Sequence, residues 1–174
     1  MRTVVVLAMH GAPPNDFPGR EMGEFFGLRT RLDHSAGPDR ADLERRCAEL
    51  EAKMRAWPRT AQNDPYYAGA QELATQLREV SEHEVIVAFG EFCGPNLDEA
   101  LDQAAAMSPE RVVMATPMMT RGGEHSEVDI PEAVRRAKER HPQLSFTYAW
   151  PFDASEIARF LASQIGRFLE GEPA

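Results

Sequence analysis

Short β-branched segments recur along this chain, and stretches with helical periodicity separate them. Four of these segments are TVVVLAM (3–9), EVIVAF (84–89), RVVMAT (111–116) and SFTYA (145–149). The first three are almost continuously apolar, which is typical of parallel strands that are covered on both faces. Strands that alternate with helices favour parallel pairing through right-handed crossovers. The sequence therefore predicts an α/β fold, with a doubly wound, mainly parallel four-stranded sheet and helices on both faces.

Helical periodicity is clearest in segments that begin near residues 39, 65, 96, 129 and 154. In residues 39–57, apolar side chains recur at spacings of four, three and four, at Leu43, Cys47, Leu50 and Met54. Asn96 and Glu99 have the spacing of a capping box, which predicts a helix start there. Residues 12–37 are rich in proline, glycine and charge, so we expect mostly irregular structure with one short helix.

Length and composition narrow the class of protein. The 174 residues, 43% of them hydrophobic, fit one domain that spans residues 1–174. Cys47 and Cys93 match no disulfide or zinc-binding spacing, so we interpret both as buried thiols. The first apolar segment is too short to span a membrane and no cleavage site follows it, so we expect a cytoplasmic protein. A net charge of −9 disfavours nucleic acid as a partner, because neutralising phosphates requires a basic surface.

Side chains that commonly bind metals follow three of the predicted strands. His10 comes directly after the first strand, Glu91 after the second, and His125 in the segment after the third. Adjacent parallel strands lie about 4.8 Å apart, so side chains that leave their carboxyl ends can reach one ion. Two imidazoles and a carboxylate suit a divalent first-row metal with an open coordination position. Taken singly, each residue also has a simpler interpretation, as a hydrogen-bonded histidine or a solvent-facing carboxylate at a strand end.

The segment around His125 has the features of a ligand-binding loop. Gly122 and Gly123 free its backbone. Asp129 with Glu132 has the spacing of a capping box, which predicts that a helix begins there. We therefore expect His125 on a glycine-hinged loop between strand and helix, where open parallel sheets bind ligands.

Three longer runs carry a family resemblance: EVIVAFGEFCGPNLDEAL, RVVMATPMM and GGEHSEVDIP. With His10-Gly11, they resemble the sirohydrochlorin chelatases, the small, CbiX-like class II cobalto-/ferrochelatases. The chain departs from that pattern at Ala12, where the family usually has serine, and in residues 13–65, which have no counterpart. We therefore interpret residues 13–65 as a mostly helical insertion after the first strand of a chelatase-like domain.

The resemblance implies an enzyme, a lyase that inserts Co²⁺, Fe²⁺ or Ni²⁺ into sirohydrochlorin in cobalamin- or siroheme-type biosynthesis. It implies His10, Glu91 and His125 as both metal ligands and catalytic residues, with one histidine accepting a pyrrole proton. It implies no organic cofactor, since the metal ion is itself a substrate. A tetrapyrrole with many carboxylates needs a local basic patch in an acidic protein, and the candidates are Arg20, Arg29, Arg31 and Arg121.

Two other functions fit the same residues. A non-catalytic metal or tetrapyrrole carrier would keep the site but deliver its cargo, and the acidic charge and the unmatched segment leave this alternative open. A metal-dependent hydrolase would use the three residues to activate water. No additional carboxylate at bridging spacing supports the hydrolase.

The assembly also has two interpretations. Short members of the family resemble one lobe that pairs with its own copy, so the resemblance implies a two-fold homodimer. Alternatively, residues 13–65 fold over the carboxyl edge of the sheet and complete the site within one chain. Apolar side chains on the first two predicted helices suit either arrangement, namely Leu43, Leu50, Met54, Leu73 and Leu77.

Overall fold

The computed structural model describes residues 2–34 and 39–169. Within these ranges, four strands form one sheet: β1 (Thr3–Met9), β2 (Glu84–Phe89), β3 (Arg111–Ala115) and β4 (Ser145–Tyr148). The strand order is β2-β1-β3-β4, and every neighbouring pair is parallel. The predicted parallel four-stranded α/β sheet is therefore confirmed, although β3 and β4 each end one residue earlier than predicted.

The register of the sheet brings the carboxyl ends of three strands to one edge. β1 lies between β2 and β3, with Met9 opposite Phe89 and Leu7 opposite Ala115. The pairing of β1 with β2 continues past the strands, since the amide of Glu91 donates to the carbonyl oxygen of His10 at 2.9 Å. The two residues that follow these strands are therefore held side by side.

Helices cover both faces of the sheet. The described residues form α1 (Gly19–His34), α2 (Arg40–Arg55), α3 (Pro65–Ser81), α4 (Leu97–Ala106), α5 (Ile130–Arg140) and α6 (Ala154–Leu169). Leu101 of α4 belongs to the buried cluster on one face with Val6 of β1, and α5 contributes to the same cluster. Ala74 of α3 belongs to the cluster on the opposite face with Leu7. No helix in the described ranges combines the length and the apolar character needed to cross a lipid bilayer.

The first two helices pack against each other around a third apolar cluster. Its buried members are Phe17, Phe25, Leu28, Cys47, Leu50, Met54 and Phe92. Because Phe92 follows β2, this cluster joins α1 and α2 to the loop at the carboxyl end of that strand. Both cysteines, Cys47 and Cys93, are buried free thiols, as predicted.

α1 corrects the expectation of mostly irregular structure in residues 12–37. It spans 16 residues although it contains three glycines, and each glycine in a helix interior costs about 1 kcal/mol relative to alanine. Phe25 and Leu28 are almost fully buried in the third cluster, and each such burial stabilises by about 1.5–3 kcal/mol. Tertiary burial therefore outweighs low local propensity. Residues 35–37 of that prediction lie outside the described residues.

The two predicted capping boxes have different outcomes. The box at α4 is confirmed, because the side chain of Asn96 accepts from the amide of Glu99 and the Glu99 carboxylate accepts from the amide of Asn96. The box at Asp129 is wrong, because the Asp129 backbone is already helical and its side chain makes no cap hydrogen bond. A π-helix over His125–Asp129 runs directly into α5, so the helical segment starts earlier than predicted.

Candidate metal centre

His10, Glu91 and His125 lie together at the carboxyl edge of the sheet. One ligand atom from each lies within 4.8 Å of the others. The two imidazole rings meet edge to face with centroids 4.6 Å apart, and His10 Nδ1 lies 3.7 Å from Glu91 Oε2. The structure thus brings together the three residues selected from the sequence, and their role as metal ligands remains a prediction.

The turn after β1 depends on Gly11. Its φ of +107° lies in a region that L side chains rarely adopt. A Cβ at this position would lie 2.0 Å from the carbonyl oxygen of Glu91. Because residue 11 has no side chain, the turn packs directly on the Glu91 backbone. The amide of His10 donates to the hydroxyl of Tyr66 at 3.1 Å, which ties the same turn to α3.

His125 is held by a helical turn. It is the first residue of the π-helix, so the predicted loop ends before it, after a turn in which Gly122 has a φ of +87°. His125 Nδ1 lies 2.6 Å from Asp129 Oδ2. A carboxylate only accepts hydrogen bonds, so Nδ1 carries the proton and Nε2 of the neutral ring keeps its lone pair. Carboxylate partners of this kind orient metal-binding histidines.

His10 has a comparable arrangement. Its Nδ1 lies 3.2 Å from the carbonyl oxygen of Gly11, which also only accepts, so Nε2 is again the free nitrogen. Bonds from nitrogen or oxygen ligands to such a metal are about 2.0–2.2 Å long, so two ligands lie at most about 4.4 Å apart across the ion. The ligand atoms of the three residues lie within 4.8 Å of one another and would need only small shifts to come within that limit. The residue types and their spacing therefore fit a divalent first-row ion.

Arginines from residues 13–65 fix the loop that carries Glu91. Arg55 of α2 donates at 2.9 and 2.8 Å to two carbonyl oxygens on either side of that residue, those of Gly90 and Cys93. Arg59, which follows α2, donates to the carbonyl oxygen of Phe92. The backbone of the loop after β2 is therefore anchored to the helical pair.

A cavity of about 660 Å³ opens beside the candidate metal centre, and Glu91 and His125 both line it. Its lining includes His125 and charged residues of both signs, namely Arg29, Glu51, Arg55, Glu91, Asp98, Asp129, Glu132 and Arg136. Partial burial acts to raise the pKa of Asp98, but hydrogen bonds from Arg136 and Arg140 outweigh it and lower that pKa. The wall of the cavity therefore presents fixed charges next to the candidate metal centre.

The predicted basic patch is only partly present at this cavity. Of its four arginines, Arg29 is the one that lines the cavity among the described residues. Arg121 instead pairs with Glu127 at 2.6 Å. The other guanidinium groups at the cavity come from Arg55 and Arg136, which the sequence did not single out. The sequence next to Arg55 and Arg136 gives no indication of this position, because helix packing brings both residues to the cavity.

Two residues that support the site were not predicted in that role. The sequence suggested a different role for one of them and no role for the other. Asp129, predicted as a helix cap, instead accepts from His125. A spacing of four residues would have indicated this pair if the segment had been predicted as helical. Tyr66, which binds the amide of His10, carries no signal in the sequence.

The fold and the three residues define a class of protein, α/β proteins with a candidate metal centre at the carboxyl edge of a parallel sheet. The CbiX family profile matches residues 61–167, more than half of the chain, and the chain belongs to this family. The resemblance seen in the sequence is thereby confirmed. The matched region contains Glu91 and His125, whereas His10 and the helices α1 and α2 precede it.

Individual relatives cover different extents of the chain. A sirohydrochlorin cobaltochelatase from Priestia megaterium is 34% identical over 86 residues, which are 47% of this chain and 28% of that protein. The chain therefore spans less than a third of this relative's length. A solved structure from Marinobacter aquaeolei VT8, described as a CbiX protein of cobalamin (vitamin B12) biosynthesis, has a TM-score of 0.55 and 15% identity, with 98% of each chain covered. At this identity the similarity concerns the fold alone.

Proposed function

We propose that this chain is a tetrapyrrole metal chelatase that inserts Co²⁺, Fe²⁺ or Ni²⁺ into sirohydrochlorin. The observation that carries the proposal is the convergence of His10, Glu91 and His125 in a member of the CbiX family, with Glu91 and His125 lining an open cavity. The name of the Priestia relative, a cobaltochelatase, supports the reaction class. The cavity that Glu91 and His125 line suits a second, larger substrate.

The reaction exchanges one divalent ion for two pyrrole N–H protons. In our proposal, Nε2 of each histidine and one oxygen of Glu91 bind the incoming ion. This set leaves coordination positions open, so ring nitrogens can enter as water leaves. Imidazole serves as a ligand or as a base near neutral pH. One histidine therefore accepts a pyrrole proton as the metal passes to the ring, and the second proton goes to solvent.

The ligand set accepts all three metals. Affinity orders among divalent ions do not decide which metal a protein uses, because geometry and availability also select. The proposal therefore covers cobalamin-type and siroheme-type biosynthesis alike, with the metal as substrate and no organic cofactor.

The first prediction concerns the reaction itself. Purified protein should accelerate metal insertion into sirohydrochlorin with at least one of the three ions. The tetrapyrrole absorbance measures the rate against a control without protein. His10→Ala and His125→Ala should each lower the rate by about 100-fold or more. The double variant should lose little more, because groups that act as a unit are not additive. Glu91→Gln should be milder, since the amide oxygen still coordinates weakly.

His83→Ala provides the matched control, because His83 is exposed and precedes β2, away from the carboxyl edge. It should retain the wild-type rate. Insertion no faster than the spontaneous reaction for all three metals, with both substrates still bound, would instead indicate a carrier. Near-normal turnover by His125→Ala would refute the mechanism.

A further inference from the structure

The carboxylate proposed to bind the metal is already paired with an arginine. Arg29 of α1 donates from Nη1 and Nη2 to the same oxygen, Oε1 of Glu91, at 3.1 Å each. The other oxygen, Oε2, lies 3.7 Å from His10 Nδ1. One oxygen of Glu91 therefore faces the arginine, and the other faces His10.

Arg29 also has access to the cavity. Its side chain is 46% exposed and lines the cavity wall. The guanidinium carbon lies 5.8 and 5.9 Å from the ring centroids of Phe25 and Phe92, a cation–π arrangement. Both donors fall on one carboxylate oxygen, without the two parallel bonds of a bidentate pair, which is the stronger geometry. The guanidinium can therefore turn to another anion in the cavity.

The other two arginines of the cavity wall have different partners. Arg55 donates to backbone carbonyl oxygens, and only 19% of its side chain is exposed. Arg136 is paired with Asp98 at 2.6 Å. Arg29 is thus the cavity arginine whose partner is Glu91.

A metal ion changes the charge balance around Glu91. Without the ion, the positive charge of Arg29 offsets the negative charge of Glu91. With a divalent ion on Oε2, two cations share one carboxylate at short range and repel each other. A carboxylate of the second substrate can accept hydrogen bonds from the guanidinium in place of Glu91. The positive charge of Arg29 is then paired with the substrate, and the repulsion is relieved.

We propose that Arg29 couples the binding of the two substrates. Arg29 pairs with Glu91 until a carboxylate of an anionic tetrapyrrole replaces Glu91 as the partner of its guanidinium. This exchange strengthens metal binding at Glu91. The inference rests on the proposed function, in which Glu91 is a metal ligand. Arg29 is a positioning residue, since it acts on the metal through Glu91. Metal affinity is therefore low in the free protein and rises when the tetrapyrrole is present.

The first test measures Co²⁺ affinity of the full chain by equilibrium dialysis. Arg29→Gln should bind Co²⁺ about tenfold more tightly than the wild type, within the range typical of coupled sites. Arg29→Lys keeps the charge but loses the planar fork. Its Co²⁺ affinity should therefore lie between those of the wild type and Arg29→Gln. Arg31→Gln is the matched control, because it removes the same charge from an exposed position of α1. A purely structural role of Arg29 predicts weaker binding, so equal or lower affinity in Arg29→Gln overturns the proposal.

The second test adds a copper-loaded porphyrin with eight carboxylates, whose ring nitrogens are already occupied. It should raise the Co²⁺ affinity of the wild type about tenfold, and that of Arg29→Gln by much less. By linkage, Co²⁺ should raise porphyrin affinity by the same factor, which porphyrin absorbance measures. No effect on the wild type, or an equal effect on both proteins, overturns the coupling.

A double variant separates this inference from the proposed function. If His10→Ala with His125→Ala binds Co²⁺ as well as the wild type, the metal centre itself is wrong. If that variant loses Co²⁺ binding while Arg29→Gln matches the wild type, the metal centre stands and only the coupling is wrong.

Discussion

Gly11 lies at a close approach between the loops that follow β1 and β2. Gly11→Ala places a Cβ 2.0 Å from the carbonyl oxygen of Glu91 and forces alanine into a φ of +107°. We expect this variant to lose about 2 kcal/mol or more of unfolding free energy and to bind Co²⁺ more weakly, because Glu91 must move. Denaturant unfolding and equilibrium dialysis measure the two effects.

Gly23→Ala is the control for this substitution. Gly23 is exposed within α1, and a Cβ there meets no atom within 4 Å. Alanine should therefore raise the unfolding free energy by about 0.5–1 kcal/mol, because glycine is costly inside a helix. Equal stability of Gly11→Ala and the wild type would contradict the close approach.

Arg59 and Asp64 form an ion pair that is almost fully buried, with side-chain exposures of 5% and 1%. Asp64 also accepts from the amide of Tyr67 at the start of α3. Arg59 donates to the carbonyl oxygens of Ala12 and Phe92. Buried charges persist when they are paired and hydrogen-bonded. Arg59 also donates to the carbonyl oxygen of Met54 in α2. The pair therefore links the loops after β1 and β2 to α2 and α3.

At the scale of elements, the π-helix that carries His125 is tied to the edge strand β4. Tyr148 of β4 donates its hydroxyl to the carbonyl oxygen of Ser126 at 3.0 Å. Burial raises the pKa of Tyr148 to about 12, and the nearby Glu127 contributes in the same direction. The neutral phenol is therefore favoured in the folded state.

Tyr148→Phe removes this tie. Loss of the hydrogen bond should lower the unfolding free energy by about 0.5–1.5 kcal/mol at neutral pH. The pKa of Tyr148 is raised in the folded state, so the contribution of the neutral phenol to stability is fully present below pH 10.0, the pKa of the unfolded chain. This contribution is lost as the pH rises towards about 12. The difference between wild type and variant should therefore shrink over that interval. Urea unfolding at several alkaline pH values tests this, and a constant difference would argue against it.

At the scale of the whole molecule, two of the five apolar residues expected to serve either a dimer or a lid are buried within the chain, and Leu43 and Leu77 are partly buried. Leu50 and Met54 are in the cluster between α1 and α2, whereas Leu73 is 41% exposed. α6 contains no buried residue. Its exposed apolar side chains are Phe160, Leu161, Ile165, Phe168 and Leu169. The homodimer therefore remains a prediction, and α6 is the surface on which we expect a second copy to pack.

Light scattering at micromolar concentration tests the dimer. The wild type should have about twice the single-chain mass of 19.4 kDa, and Ile165→Glu should shift it to the monomer, because a charge then replaces an apolar contact. Ser163→Glu adds the same charge to the opposite side of α6, at 100° per residue, and should leave the dimer intact. A wild-type mass near 19.4 kDa with full activity would show that one chain is sufficient.

The sequence by itself determined the sheet and the positions of His10, Glu91 and His125 along it. Continuous β-branched runs are typical of buried strands, and helix-length connections between them leave parallel pairing as the main solution. His10 and Glu91 closely follow neighbouring strands and therefore lie at one edge, whereas His125 comes later, in the segment after β3. The treatment of residues 13–65 as an insertion in a single domain stays a prediction, and the CbiX match begins only at residue 61.

Tertiary structure alone decided how the candidate site is supported. α1 forms despite the low helix propensity of its glycines, because Phe25 and Leu28 are buried in the cluster that α1 shares with α2. The contact of Arg29 with Glu91 joins residues 62 positions apart, and that of Arg55 with Cys93 joins residues 38 positions apart. Local patterns carry no information on such pairs, because the energy that forms them comes from packing between helices and not from the residues next in sequence.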